Sequence, residues 1–188
     1  IGYLLSMAAN KKYNKIIYFV AGSLIILFSF QTYNRLKVWK DGESLFSDVI
    51  KKNPNSYHAY FVRGNIMQTI GNYSAALDDY NLSLKFKPDF ADALNNKGFI
   101  LFEMGDTSKA FKNYNAAIDL KPDFAEAYNN RGLLYFRQGY FDLALADYDK
   151  AIVLAPKLDK AYNNRGVLKA NLADMKGSLC DFNTFIEL

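Results

Sequence analysis

The chain is poor in the residues that do chemistry. Its 188 residues include one cysteine, Cys180, and one histidine, His58. A single cysteine excludes an internal disulfide and a cysteine-based metal site. A single histidine on a helical stretch reads as a surface side chain rather than a catalytic base. There is no glycine-rich phosphate loop and no spacing of metal ligands. The sequence therefore offers no catalytic residue, no metal site, no cofactor and no evident small-molecule substrate, and is expected not to be an enzyme in itself. Charge is scarce in a lopsided way. Residues 1–40 carry six basic side chains and no acid, whereas residues 41–188 carry 17 basic and 19 acidic ones. The net charge of +4 belongs to one end. The main body lacks the basic face that a nucleic-acid partner needs.

Long apolar runs are also scarce, with one exception. Nineteen residues without a charge separate Lys15 from Arg35, and Ile16–Phe30 is apolar but for Gly22, Ser23 and Ser29. As a helix, the uncharged stretch would span roughly 28 Å. Lysines and arginine bracket it, and Tyr13, Tyr18 and Tyr33 stand where interface aromatics belong. This reading predicts a transmembrane helix over residues 13–38, with the lipid bilayer as a partner through Ile16 to Phe30. It is preferred to a buried core helix, and to a signal peptide because no small-x-small cleavage site follows. Residues 1–12 read as the end of a preceding apolar segment and a basic loop, as in a piece of a longer multi-spanning protein. Three basic residues on either side leave the orientation open.

The rest of the chain repeats. "AYNNRG" occurs at 127–132 and again at 161–166, and "ALNNKG" at 93–98. The period of 34 residues divides the chain into 56–89, 90–123, 124–157 and a shortened 158–188, and such a period signals a solenoid. Gly64, Gly98, Gly132 and Gly166 share one position, where a missing side chain lets two helices approach. Gly71, Gly105 and Gly139 mark a turn seven residues later, with Ala173 as the fourth. Ala76, Ala110, Ala144 and Ser178 give a small contact point, with Tyr80, Tyr114, Tyr148 and Phe182 one turn further on. Pro88, Pro122 and Pro156 stop a second helix. First helices are predicted at 57–70, 91–104, 125–138 and 159–172, and second helices at 73–86, 107–120, 141–154 and 175–187. Residues 39–55 read as a half repeat, a second helix without its first, that caps the array. The basic residues Arg63, Lys97, Arg131 and Arg165 face Asp79, Asn113, Asp147 and Asp181 in the pattern. They form either a packed ladder or a row of snorkelling cations.

Glycine, aromatic, glycine, alanine, aromatic and proline at this spacing resemble the tetratricopeptide repeat over about residues 56–188. The resemblance implies a right-handed α-solenoid of antiparallel helix pairs, so that the fold class expected is all-α, one transmembrane helix followed by the solenoid. It also implies that the first helices line a concave face. That face would carry Asn95 and Asn96, Asn129 and Asn130, and Asn163 and Asn164, with Asn65 one residue beyond its glycine. An asparagine amide presents a donor and an acceptor together. A column of them suits the main chain of an extended peptide. Superhelices of the O-linked N-acetylglucosamine transferases use such a ladder, and Asn96, Asn130 and Asn164 match its position. Phe99, Phe102, Leu133 and Phe136 run beside the amides, either as an apolar strip for a partner or as packing between first helices. The asparagines have their own plain alternative as solvated polar filler. The carboxylate clamp of chaperone cofactors is not matched, because Phe61, Asn65, Asn96, Glu126 and Asn130 stand at its positions and its cations are missing.

The expected function is a membrane-anchored scaffold that binds a protein or peptide in the concave groove. The alternative comes from the junction "NRLKVWKDGESLF" (34–46), which resembles the tail of transmembrane and tetratricopeptide-repeat O-mannosyltransferases. That resemblance implies an acceptor-binding tail of a membrane glycosyltransferase, with repeats in the periplasm or lumen.

Overall fold

The computed structural model describes the backbone of residues 11–38 and 41–188, and the side chains of 18–33 and 41–188. Among these residues there are ten helices and no strand. The chain divides into two compact units, Ile1–Asp48 and Val49–Leu188.

The first unit contains helix α1, Lys11–Val38. The expectation of a membrane span is overturned here: among the described residues, no helix is long and apolar enough to cross a membrane. The physical reason is length. The apolar part, Ile16–Phe30, has fifteen residues, which at ~1.5 Å per residue fall short of a hydrocarbon core of about 30 Å. Gln31, Thr32 and Asn34 follow, and they are uncharged but not apolar. The transmembrane segment over 13–38 is withdrawn, and with it the bilayer contact through Ile16 to Phe30. The reading of residues 1–12 falls almost wholly outside the described residues, as does the start of the half repeat at 39 and 40. Helix α2, Gly42–Lys52, lies where the half repeat places a helix and straddles the two units. It starts on Asp41, whose carboxylate accepts the Ser44 N–H at 2.8 Å.

The second unit is four helix pairs: α3 (Tyr57–Thr69) with α4 (Tyr73–Phe86), α5 (Ala91–Glu103) with α6 (Thr107–Leu120), α7 (Ala125–Arg137) with α8 (Phe141–Leu154), and α9 (Asp159–Asn171) with α10 (Met175–Glu187). The second helices coincide with those predicted, and the first helices are one residue shorter. The turn explains where they stop. Gly71 donates to the carbonyl of Gln68 and Asn72 to that of Met67, at 3.0 and 2.8 Å. The same two bonds recur at Gly105/Asp106, Gly139/Tyr140 and Ala173/Asp174. This is a Schellman stop, which needs a left-handed residue. Gly71, Gly105 and Gly139 supply it with φ of 79, 85 and 82°. The next residue then starts the second helix: the side chains of Asn72, Asp106 and Asp174 each accept a backbone N–H three residues on.

In the last repeat the left-handed position is held by Ala173, at φ 63°. A side chain there costs on the order of 1 kcal/mol. Ala173→Gly is therefore expected to raise the stability of the α9–α10 pair by about 1 kcal/mol. Native-state hydrogen exchange of α10 amides reads it directly; slower exchange is expected, and faster exchange would contradict the strain.

The core is a series of contacts between paired helices. Tyr80, Tyr114 and Tyr148 are fully buried against Gly64, Gly98 and Gly132. Successive pairs share small clusters, such as Leu101, Ala110, Tyr114 and Leu134. A row of clasps runs alongside. Arg63, Arg131 and Arg165 each grip the carboxylate of Asp79, Asp147 or Asp181 through Nε and Nη2. Arg131 and Arg165 also donate through Nη1 to Asn115 and Asp149, on the preceding repeat's second helix. Burial raises the Asp181 carboxyl, but hydrogen bonds from Arg165 and Lys169 outweigh it and hold it below the usual carboxylate range. The packed ladder is thus present at three rungs. The fourth differs: Asn113 turns back to the carbonyl of Lys109 at 2.8 Å and does not meet Lys97. Burial, with the Lys109 charge, pushes the Lys97 amine below its ordinary range.

Candidate functional site

The first helices α3, α5, α7 and α9 lie side by side, each packed on the next. Two neighbouring asparagines on one such helix point about 100° apart, so one can reach the following helix while the other reaches the preceding one. The structure uses both directions. Asn164 donates through Nδ2 to Oδ1 of Asn129 at 2.9 Å, and Asn129 to Asn130 at 3.4 Å. Asn130 donates to Asn95 at 2.9 Å, Asn95 to Asn96 at 3.2 Å, and Asn96 to Asn65 at 2.9 Å. Six amides on four helices thus form one chain of hydrogen bonds with a single direction. Aligned amide dipoles polarise one another in such a chain. It ends at Tyr80, whose hydroxyl lies 2.8 Å from Oδ1 of Asn65 and 2.6 Å from Oε1 of Gln68. Burial pushes the Tyr80 phenol well above its usual range, so it remains a donor.

The two members of each pair differ in role. Asn95 and Asn129 are only 5 % exposed at the back of the groove they help to line, and each both accepts and donates within the ladder. Asn96, Asn130 and Asn164 are half-buried and border an open groove of about 620 Å³. Each of these three amides has two N–H groups, of which the ladder engages one. Among the described residues no partner engages the second N–H of any of the three.

Of the other residues singled out in the sequence, Phe99, Leu133 and Asn163 also line the groove. Asn65 does not; it receives the ladder's last bond. Phe102 packs against Leu101, Tyr114 and Leu134, and Phe136 against Tyr148 and Leu168. The apolar strip is therefore divided, with Phe99 and Leu133 facing the groove while Phe102 packs between helices. Gln68, Glu126, Leu158, Asp159, Lys160 and Phe185 also line the groove, beyond the residues that the sequence pattern singles out. One signal could have found two of them: Glu126 and Lys160 stand four residues before Asn130 and Asn164, one helical turn along the same face. His58 is exposed on α3 with its ring against Tyr57 and Phe61, and Cys180 is exposed on α10.

The geometry has counterparts in known proteins. Models of the TPR repeat match residues 64–105 and 98–139, and a tetratricopeptide repeat model matches 125–158; together they run over half of the chain. The human protein O-mannosyl-transferase TMTC1 is 32% identical over 73 residues. That match covers 39% of this chain and only 8% of the length of the relative. YrrB, described as a TPR protein with an unusual peptide-binding site, superposes with a TM-score of 0.59 at 20% identity, over 86% of this chain and 80% of its own. The first TPR of Spaghetti (RPAP3), solved bound to the HSP90 peptide SRMEEVD, gives 0.58 at 24% identity over 62% of this chain and 93% of its own. Each of these structures shares the fold, which is a scaffold suited to protein or peptide binding. Helix pairs of 34-residue period, glycine–tyrosine contacts and matching family models agree: the chain belongs to the tetratricopeptide repeat family.

Proposed function

We propose that the protein is a binding scaffold that holds an extended peptide segment of a partner along the asparagine-lined groove. One observation carries this reading. Three half-buried amides, Asn96, Asn130 and Asn164, line one open trough, are fixed there by a continuous ladder and each keep one N–H that the ladder does not use. Preorganised amides lose little freedom when they bind a peptide backbone. They pair with C=O and N–H groups whatever the peptide's side chains are. Phe99 and Leu133 add apolar contact between the rungs. That YrrB and Spaghetti are described with peptide sites or a bound peptide supports the same use of the fold.

The test is retention of peptides by the full chain against a variant with Asn96, Asn130 and Asn164 all changed to Ala. At about 0.5–1 kcal/mol per hydrogen bond lost, affinity is expected to fall on the order of tenfold to a hundredfold. Far-ultraviolet circular dichroism confirms that the variant keeps its helices. Equal retention by the two folded proteins removes the ladder from the binding site.

The likeness to TMTC1 favours a second reading, in which the bound segment is the polypeptide acceptor of a sugar transferase. Peptides retained by the groove would then carry serine or threonine as a common feature, and their absence would leave the scaffold reading alone.

A further inference from the structure

Beside Asn164, where the ladder starts, lies a second, smaller notch of about 250 Å³. Its walls are the apolar side chains of Leu133, Phe136 and Val167, and its polar groups belong to Arg137, Tyr148 and Asn164. Tyr148 is 0 % exposed, yet its hydroxyl has no hydrogen-bond partner. Buried hydroxyls in native proteins are nearly always paired, and an unpaired one calls for an explanation.

The chain supplies its own comparison. Tyr80 is the same tyrosine two repeats earlier, and its hydroxyl faces the oxygens of Asn65 and Gln68. Sixty-eight residues on, those two positions hold Leu133 and Phe136. Both internal acceptors are replaced by hydrocarbon, while the donor is kept. In the first repeat a side-chain oxygen from the protein occupies the place in front of the tyrosine. In the third repeat that place is part of an open notch.

The other polar groups of the notch are donors as well. Arg137 is exposed, and no ion pair engages it among the described residues. Its charge is felt at the Tyr148 hydroxyl. Asn164 gives one N–H to Asn129 and retains the second. A phenol, a guanidinium and an amide N–H around hydrocarbon walls complement an anion carried on a short apolar stem. The corresponding place in the second repeat has Phe99, Phe102 and Glu103, where bulk and an acid oppose the same occupant.

We propose that this notch is the subsite for a glutamate side chain of the bound peptide. Its carboxylate accepts from Tyr148 and Arg137, and its methylenes lie on Leu133, Phe136 and Val167. The inference rests on the peptide-groove reading above and gives it a sequence preference, which the amide ladder alone lacks. Arg137 stands seven residues beyond Asn130, away from the carboxylate-clamp positions considered in the sequence.

The test is selection of a displayed random decapeptide library on the full chain, and then on Arg137→Gln, Tyr148→Phe and Phe136→Gln variants. The wild-type protein is expected to enrich glutamate at one fixed register. The Arg137→Gln variant should lose that enrichment. Tyr148→Phe should weaken it while leaving folding stability unchanged or raised, a split that a purely structural tyrosine does not produce. Phe136→Gln restores the first-repeat acceptor, fills the notch from within and should also abolish the preference. A selected peptide with its glutamate changed to glutamine should bind about tenfold more weakly by fluorescence anisotropy. Peptides selected without an acidic preference, or a preference that persists in all three variants, would overturn the subsite and leave the groove intact. If the wild-type chain retains no peptide at all, the groove reading falls and the subsite with it.

Discussion

Replacing Asp147 with alanine is expected to lower the unfolding free energy by about 3 kcal/mol. The carboxylate receives two parallel hydrogen bonds, from Nε and Nη2 of Arg131, both at 2.8 Å. The pair is mostly shielded from water, with side-chain exposures of 19% for Arg131 and 9% for Asp147. Such a pair adds modest stability relative to a well-packed apolar one, because both charges had to be stripped of water. Removing one partner is a different matter, since it leaves the other charge half-buried without its counter-ion. The guanidinium also reaches Asn115 on α6, so the clasp connects three helices of two successive repeats. In a solenoid, stability is a sum of repeat and interface contributions, and this variant weakens both kinds. Urea unfolding followed by circular dichroism measures the loss. The companion variant, Arg131→Met with Asp147→Ala, should cost less than Asp147→Ala alone, because no stranded charge remains. A single-variant loss under about 0.5 kcal/mol would place the pair with ordinary surface salt bridges and show that Arg131 escapes to water.

The repeat architecture was legible because each punctuation residue has one physical job. The glycine before the second helix in three of the four repeats is there because the Schellman stop demands a left-handed residue, and the helix ends fall within one residue of expectation for that reason. The bidentate clasps were legible where arginine and aspartate recur together, since a fork and a carboxylate match in shape. Lys97 and Asn113 lack that match, and their parallel replacement did not mean contact. The long first helix misled for a simpler reason. Freedom from charge extends over nineteen residues, but apolarity stops at Phe30, and Gln31, Thr32, Tyr33 and Asn34 complete the stretch. The asparagine ladder was half legible. Periodicity puts the amides on the first helices, but packing alone decides which of them, Asn95 and Asn129, are almost fully buried at the back of the groove and which, Asn96, Asn130 and Asn164, stay half-buried on it. The notch at Tyr148 was hidden because the partners of its counterpart Tyr80 stand twelve and fifteen residues away, on the other helix of the pair. Comparing Asn65 and Gln68 with Leu133 and Phe136 across two repeats contains the signal, although it concerns a missing bond.

A second large effect is expected at the close approach that gives the array its thickness. Gly98 on α5 faces Tyr114 on α6, and a Cβ built on Gly98 would lie 2.7 Å from Cε1, 2.8 Å from Cδ1 and 3.3 Å from Cζ of that ring. The ring has nowhere to go: Tyr114 is 1 % exposed and packed among Leu101, Ala110 and Leu134. On an exposed helix surface, glycine to alanine adds stability of about 1 kcal/mol through helix propensity. Here that gain is set against overpacking of about 1–3 kcal/mol, so Gly98→Ala should be neutral to destabilising. Gly98→Val adds two more methyl groups to the same clash and forgoes most of the propensity gain; it should cost about 3 kcal/mol. Combining Gly98→Val with Tyr114→Leu vacates space opposite the new side chain. The double variant should therefore lose less than the two single variants added together. Chemical denaturation of the four proteins closes this cycle. Additive losses, or a Gly98→Val protein as stable as the parent, would mean that α5 and α6 are free to move apart and that the glycine is not what sets their spacing.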